Sequence, residues 1–225
     1  MKNFTIKAPA KINLTLEVLN KREDGFHNIQ SIMHTISLYD ILSFYAEHAE
    51  QNEIDLSGNN PEIPYDERNL VYKACAAFME MADIKNTKIK CYIEKNIPVA
   101  AGLAGGSTDA AATLRALNEI FENILTETQL NQICATLGSD LNFVLNGGCA
   151  LCTSRGEIVV PLPKVKSYVS LIKPKNLGIC AKEAYQKCAQ RGYKQGLDYT
   201  HKLKKLIEEN KFDTKLRSEP RVAQI

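Results

Sequence analysis

The fold of this 225-residue chain is decided by one stretch, Pro98-Val99-Ala100-Ala101-Gly102-Leu103-Ala104-Gly105-Gly106-Ser107-Thr108-Asp109-Ala110-Ala111-Ala112. Three glycines and two adjacent hydroxyl side chains lead directly into a run of alanines, which is typical of a loop that opens into a helix. Glycine allows the backbone to adopt positive φ and to come close to a ligand. The amides of such a loop and of the helix N-terminus suit an anion, above all phosphate. We therefore predict that residues 98–108 bind phosphate and that the helix continues to about Phe121.

The same loop has a structural alternative, a tight strand-to-helix turn whose small residues serve only helix packing. It is not a Walker loop, because GxxxxGK[ST] is absent, and it is not the GxGxxG of dinucleotide-binding folds. The three glycines and the hydroxyls of Ser107 and Thr108 favour phosphate binding. A side chain at Gly105 is then expected to fill the space that the phosphates need.

Strand patterns dominate the residues before this loop. Alternating apolar side chains predict strands, and a single apolar stripe predicts one helix over Glu67–Ala82. A loop rich in Asn, Gly and Pro is predicted over Ser57–Pro64. The predicted strands cover residues 5–8, 12–19, 29–37, 41–46 and 87–94.

Helix signals continue after the loop. Thr126 and Gln129 have the spacing of a capping box, and Gly138 is placed to end that helix. A strand pair is predicted to flank Gly147-Gly148. Beyond Pro161 the pattern predicts a strand over 168–172 and helices over 182–190 and 199–209, with a domain boundary near residue 160.

Composition narrows the class of protein. Lys and Arg number 28 against 26 Asp and Glu, a net charge of +2, which argues against a dedicated nucleic-acid partner. No apolar run is long enough for a membrane helix, and the N-terminus lacks the pattern of a signal peptide. The seven scattered cysteines predict reduced thiols in a cytoplasmic protein. Cys149 and Cys152 form a CxxC pair without a second pair at metal spacing, so we predict no metal site.

Three further segments carry residues suited to chemistry. Lys11 lies between apolar neighbours at a strand start, where it either reaches solvent or is held in a polar site. The turn at Asp24-Gly25 places Phe26 beside His27, a pair suited to holding a flat base, although His27 alone fits an ordinary surface position. Asp140 follows a predicted helix end, where it is either the cap of the next helix or the acceptor of a proton from an attacking hydroxyl.

These motifs, in this order, resemble the GHMP kinases. The loop at 98–112 is similar to the phosphate loop of that family, and 138–140 is similar to the segment with its catalytic aspartate. Residues 68–70 match a stretch near the nucleotide. Residues 8–14 and 22–27 resemble the signature of one branch, which phosphorylates the 2-hydroxyl of 4-diphosphocytidyl-2-C-methyl-D-erythritol in non-mevalonate isoprenoid synthesis. The resemblance extends from about residue 5 to residue 190.

The resemblance implies an α+β fold with two domains. Residues 1–160 would form the N-terminal ATP-binding domain, which is similar to ribosomal protein S5. Residues 161–225 would form a partial, ferredoxin-like C-terminal domain, because the third Gly-rich motif of the family, of the SGSGPT type, does not occur in these 225 residues. The chain is therefore expected to be a shortened form or a fragment.

The family mechanism, carried over by position, implies a role for each matched residue on the ATP side. Asp140 would accept the proton of the substrate hydroxyl. Lys11 would lie beside it, keep it ionised and stabilise charge on the transferred phosphoryl group. The amides of residues 98–108 would cradle the ATP phosphates, and Asn69 and Lys95 would lie near the nucleoside. Mg²⁺ is expected with ATP, without an assigned protein ligand.

On the substrate side, the resemblance implies that His27 and Phe26 hold the cytosine and that Tyr185 lies over it. Asn13 would be close to the reacting end. The expected partner is a small molecule, and the expected assembly is a monomer or a homodimer.

Two departures keep alternatives open. The family usually has Val-Pro after the catalytic aspartate, whereas this chain has Leu141-Asn142. The missing third motif is consistent with a nucleotide-binding remnant without turnover. Another GHMP kinase, such as one acting on homoserine, is a second alternative, and a purely structural interaction domain is a third. The turn from Asp24 to His27 favours the cytidyl substrate, because an amino-acid substrate needs no base-binding pair.

Overall fold

The computed structural model describes residues 2–173, 181–190 and 198–212. Two compact units divide the chain. Unit 1 comprises residues 1–10, 36–99 and 103–145, and unit 2 comprises residues 11–35, 100–102 and 146–225. The prediction of a boundary near residue 160 stays a prediction.

Two long antiparallel strands contribute residues to both units. Strand β1 spans Lys2–Lys21 and strand β2 spans His27–His48, and the two pair with each other. The sequence predicts two short strands in each place, which is wrong, because Pro9 and Asp40 interrupt the apolar alternation without ending either strand. Proline is tolerated in β1 because this strand pairs with β2 alone among the described strands, and an edge strand need not donate at every residue.

Unit 1 contains a βαβ arrangement. Strand β3, Glu53–Gly58, runs parallel to β4, Thr87–Glu94, and helix α1, Leu70–Met81, connects them. Residues 41–48 of β2 pair antiparallel with β4. Strand β3 was not predicted, because only two apolar residues, Ile54 and Leu56, carry its alternation.

Three more helices complete unit 1. They are α2, Gly105–Ile120, α3, Glu127–Leu137, and α4, Leu141–Asn146. Thr126 and Gln129 form the predicted capping box of α3, and Gly138 is its C-cap, so both predictions are confirmed. The alanines of α2 are buried and let it pack closely on α1. The fully buried large side chains of unit 1 are Phe44, Phe78, Phe143, Leu42, Ile89, Ile93, Ile97, Leu114, Leu117 and Leu141.

Unit 2 is built on two antiparallel strand pairings. Residues 29–34 of β2 pair antiparallel with β5, Cys149–Ser154, which pairs antiparallel with β6, Ile158–Leu162. Helices α5, Ala181–Gln190, and α6, Tyr199–Glu208, follow. Their predicted positions are confirmed to within a residue. The apolar core of this unit consists of Ile32, Cys149, Leu162 and Ile207, with Leu14, Leu151, Val165, Leu203 and Phe212 around it.

Two local predictions here are wrong. Helix α4, and not a strand, precedes Gly147-Gly148, whose φ angles of +66° and +81° form the turn into β5. Residues 168–172 are in no regular strand. Apolar content alone does not distinguish a strand from a short buried helix.

Five of the six described cysteines are buried. Cys75, Cys91, Cys134, Cys149 and Cys152 are buried, whereas Cys188 is exposed and Cys180 lies outside the described residues. Burial raises the pKa of the Cys75 thiol to about 12, which disfavours the reactive thiolate. Among residues 2–173, 181–190 and 198–212, none of the helices has the length and apolar character needed to span a membrane.

Candidate active site

The Gly-rich loop between β4 and α2 has a strained backbone. Ala100, Gly102 and Ala104 have φ angles of +52°, +72° and +57°. The left-handed conformation costs an alanine roughly 1–2 kcal/mol, because its Cβ approaches a carbonyl oxygen. Such strain persists only where the surroundings hold the backbone in place. The loop is therefore maintained by contacts outside it.

The first turn of α2 presents backbone amides. Gly105, Gly106 and Ser107 are the first three residues of the helix, where no preceding turn supplies carbonyl acceptors. Ala104, at the N-cap, makes no side-chain capping bond to them. The amides lie at the positive end of a 16-residue helix, an arrangement that attracts an anion.

The two hydroxyls at the start of α2 have different surroundings. Thr108 is 1% exposed, and its Oγ1 donates to the carbonyl oxygen of Pro9 at 2.7 Å. Its hydroxyl therefore ties α2 to β1. Ser107 is partly exposed, so its hydroxyl lies nearer the surface than that of Thr108.

A buried charge cluster lies beneath the loop. The Nζ of Lys95 lies 2.8 Å from Oδ2 of Asp109 and also forms an ion pair with Oδ2 of Asp40. The side chains of Lys95 and Asp109 are each 4% exposed, and that of Asp40 is 0% exposed. Sequence reasoning missed both aspartates, although each had a signal: a carboxylate inside an apolar strand and another inside a run of alanines.

Charge in this cluster depends on pH. Burial, with a further contribution from the nearby Asp40, raises the pKa of Asp109 to about 8, although Lys95 acts in the opposite direction. Burial opposes the charge on Lys95, but attraction to Asp109 and hydrogen bonds to both carboxylates outweigh it and raise the pKa of Lys95. The cluster therefore favours the protonated form of Asp109 more than water does.

The cluster also explains why residue 105 is a glycine, which has no side chain. A Cβ atom at this position would lie 3.1 Å from Lys95 Nζ and 3.2 Å from Ile97 Cγ2. Those distances are shorter than ordinary carbon contacts, and the Lys95 ammonium is held by two carboxylates. A side chain at Gly105 would therefore enter the interior beneath the loop, rather than the phosphate space that the sequence suggested.

Lys95 and Asn69, the two residues predicted near the ATP nucleoside, both make structural contacts within the protein. Lys95 is engaged in the charge cluster. Asn69 is the N-cap of α1: its Oδ1 accepts from the Val71 amide at 2.9 Å, and its Nδ2 donates to the Pro64 carbonyl at 2.6 Å. Contact between either residue and a nucleotide stays a prediction.

Asp140 lies in the turn between α3 and α4. It directly precedes α4, and its carbonyl oxygen accepts from the Val144 amide at 3.1 Å, so it has the position of a helix cap. Asn142 is buried, and its Nδ2 donates at 3.0 Å to both the carbonyl and the side-chain oxygen of Asn131 on α3. Asn142, where the family pattern has proline, thus fixes α4 against α3 and orients the turn that carries Asp140.

Lys11, in unit 2, is held in a chain of hydrogen bonds. It is 6% exposed, and its Nζ donates to Oδ1 of Asn13 at 2.7 Å. Nδ2 of Asn13 donates to Ser31 Oγ at 2.7 Å, and Ser31 donates to the Thr15 carbonyl at 2.6 Å. The lysine is in a polar site, and the structure brings together Lys11 and Asn13 from the predicted set.

The turn before β2 has the predicted form. Gly25 has a φ of +84°, and Asp24 Oδ1 accepts from the Phe26 amide at 3.1 Å. Arg22 bonds both oxygens of Asp24, and these bonds lower the pKa of that carboxyl group. The guanidinium of Arg155 lies over the exposed Phe26 ring, 5.1 Å from its centroid.

His27 and Tyr185 form a stacked pair in the same unit. Their ring centroids are 5.5 Å apart and the rings are inclined by 16°. His27 is 8% exposed and therefore is not an ordinary surface residue. A base inserted between the two rings would have to separate them, so a flat ligand is better placed against an outer face of the pair.

The described part of the chain holds no group of three or more His, Cys, Asp or Glu side chains arranged to bind a metal. This finding concerns the side chains alone and does not bear on an ion that a nucleotide brings.

Comparison with solved structures gives the class of fold. The model matches a crystal structure of 4-(cytidine 5'-diphospho)-2C-methyl-D-erythritol kinase with a TM-score of 0.68 and 28% identity, over 92% of this chain and 72% of that one. It also matches homoserine kinase from Cytophaga hutchinsonii with a TM-score of 0.58 and 19% identity, over 94% and 69% of the two chains, a likeness of fold alone. The family model described as the GHMP kinases N terminal domain matches residues 69–153. The predicted GHMP kinase fold is confirmed.

Curated relatives identify the branch. The 4-diphosphocytidyl-2-C-methyl-D-erythritol kinase of Clostridium tetani is 42% identical over 206 residues, 91% of this chain and 72% of the relative. The protein of the same name from Caldicellulosiruptor bescii is 45% identical over 181 residues, 80% of this chain and 62% of the relative. The chain belongs to the 4-diphosphocytidyl-2-C-methyl-D-erythritol kinase family of the GHMP kinases. It spans between 62% and 72% of the length of these relatives.

Proposed function

We propose that this protein is an ATP-dependent kinase that phosphorylates the 2-hydroxyl of 4-diphosphocytidyl-2-C-methyl-D-erythritol in non-mevalonate isoprenoid synthesis. The observation that carries the proposal is the 42% identity to the Clostridium tetani kinase over 91% of this chain. The likeness to homoserine kinase has only 19% identity and supports the fold, not that substrate.

Asp140 is the proposed acceptor of the hydroxyl proton. Its place in a turn fixed by Asn142 supports this role, because general-base catalysis requires a carboxylate held in one position. Lys11 is proposed to keep that carboxylate ionised and to stabilise charge on the transferred phosphoryl group. The bond from Lys11 to Asn13 restricts the ammonium in the same way. Phosphoryl transfer needs mainly such positioning and charge stabilisation.

The ATP phosphates are proposed to lie against the amides of residues 98–108. The uncapped first turn of α2 supports this assignment. Mg²⁺ would enter with the nucleotide, whose phosphate oxygens would be among its ligands, because this ion is commonly bound through substrate phosphates. The pair of His27 and Tyr185, together with Phe26, is proposed to hold the cytosine by stacking on an outer ring face.

The test is a coupled assay of ADP release by the purified 225-residue chain with ATP and Mg²⁺. The cytidyl methylerythritol is the substrate, and homoserine and mevalonate are the controls. Turnover with the cytidyl compound alone supports the proposal. Equal or greater turnover with homoserine would overturn it, and ATP binding without turnover on any substrate would identify a nucleotide-binding remnant.

A further inference from the structure

The charge cluster of Asp40, Lys95 and Asp109 contacts the chain on both sides of the Gly-rich loop. On the entry side, Asp40 Oδ1 accepts from the amides of Asn96 at 2.6 Å and Ile97 at 2.8 Å, the two residues that precede Pro98. On the exit side, Asp109 lies in the second turn of α2 and accepts from Lys95 Nζ at 2.8 Å. Lys95 joins the two carboxylates. The cluster thus links the two ends of a loop of about ten residues.

We infer that Asp40, Lys95 and Asp109 are positioning residues that hold the phosphate loop in its binding conformation before the nucleotide arrives. This inference rests on the proposed function in one respect: a loop formed in advance assists catalysis only if the protein binds and uses ATP. The linkage itself rests on contacts within unit 1.

Burial makes the linkage strong. The three side chains are at most 4% exposed, so water and salt screen their attraction far less than that of a surface pair. Removal of Lys95 would leave the buried Asp40 carboxylate uncompensated, whereas removal of Asp109 would take away one of the two acceptors that hold the Lys95 ammonium. Asp109 already has one buried oxygen, Oδ1, without a hydrogen-bond partner among the described residues. The loss of another hydrogen bond or ion pair would therefore destabilise the cluster.

The strain in the loop requires such a device. Ala104 is held at a φ of +57° immediately before α2, and an alanine leaves that conformation unless its surroundings prevent it. A Cβ atom on Gly105, the next residue, would lie 3.1 Å from Lys95 Nζ, so the start of α2 is close to the cluster. Loss of the cluster would allow the residues at the start of α2 to relax, and a relaxed loop would have to be reordered when phosphate binds.

The test is amide hydrogen exchange of residues 96–108 in the nucleotide-free chain, with ATP affinity measured by calorimetry. Asp109→Ala removes the link, and alanine is a strong helix former, so α2 itself is not weakened by this change. We expect exchange in the loop to rise and ATP affinity to fall, each by about tenfold, the factor that corresponds to 1.4 kcal/mol. Asp109→Asn, whose amide oxygen still accepts from Lys95, should retain most of the protection.

The matched control is Lys88→Met. Lys88 lies on β4, the strand that directly precedes Lys95, and its Nζ is 2.9 Å from Glu53 Oε2, but its side chain is 29% exposed. Lys88→Met should leave loop exchange unchanged. If Asp109→Ala unfolds at the assay temperature, Lys95→Met is compared with Lys88→Met in its place.

Two results would overturn the inference: loop protection in Asp109→Ala equal to that of the unsubstituted chain, or a loss of protection spread evenly over unit 1. Failure of the unsubstituted chain to bind ATP would count against the proposed function. In that case, hydrogen exchange still decides whether the cluster holds the loop.

Discussion

A comparison of Gly105→Ala with Gly106→Ala tests how tightly the residues beneath the loop are packed. A Cβ at Gly105 would approach Lys95 Nζ to 3.1 Å and Ile97 Cγ2 to 3.2 Å, whereas a Cβ at Gly106 has Leu70 Cδ1 as its nearest neighbour, at 3.6 Å. Both glycines are in the first turn of α2, so the gain in helix propensity from alanine is similar at the two sites. The comparison of the two variants isolates the cost of the contact.

The magnitude follows from the packing. Overfilling a packed site costs about 1–3 kcal/mol, and Lys95 cannot move aside while Asp40 and Asp109 hold it. We expect Gly105→Ala to be less stable than Gly106→Ala by about 2 kcal/mol. For a chain of this size, that difference corresponds to a melting temperature lower by about 4–8 °C.

The assay is urea unfolding followed by circular dichroism, with thermal melts of both variants. Gly106→Ala should match or slightly exceed the unsubstituted chain. Equal stability of the two variants would refute the reasoning, because Lys95 would then be free to move. A fall in ATP affinity without any loss of stability in Gly105→Ala would instead place the side chain in the phosphate space.

Three further predictions concern catalysis, substrate binding and pH. Asp140→Asn should abolish turnover and leave ATP affinity nearly intact in calorimetry; unchanged turnover would remove Asp140 from the mechanism. Tyr185→Leu, which removes the ring stacked on His27, should raise the KM for the cytidyl substrate several-fold more than that for ATP in steady-state assays, and equal effects would exclude a base-binding role. Because the pKa of Asp109 is raised to about 8 in the folded chain, that chain binds the proton more tightly than the unfolded chain. The contribution of this group to the free energy of unfolding should therefore be greatest near pH 4 and lost as pH rises towards 8; urea unfolding of Asp109→Asn should show a weaker fall over that range, and identical slopes would contradict the assignment.

Local patterns were enough to predict several elements. The capping box at Thr126 and Gln129 and the end of α3 at Gly138 depend on neighbouring residues only, and they were predicted correctly. The turn at Asp24-Gly25 is local as well. The Gly-rich stretch, together with the other motifs and their order, carried the resemblance to the family, which the relatives confirm.

Elements that are stabilised by residues distant in the sequence were predicted less well. Strand β2 continues through Asp40 because Lys95 and two loop amides, from distant parts of the sequence, compensate that buried carboxylate. Residues 141–145 form a helix because Asn142 is bonded to α3, although their apolar run is equally compatible with a strand. The sequence around Asp40 or Asn142 does not indicate these distant contacts.

The sequence by itself determined the class of protein, and it supplied the predictions of a phosphate loop and of catalytic residues, because these depend on residue type and order along the chain. Only the tertiary structure showed that Lys95 is buried between Asp40 and Asp109, that a side chain at Gly105 would meet its ammonium, and that His27 is stacked on Tyr185. The physical reason is that burial and charge compensation are properties of pairs far apart in the sequence. Those pairs meet only when the chain has folded.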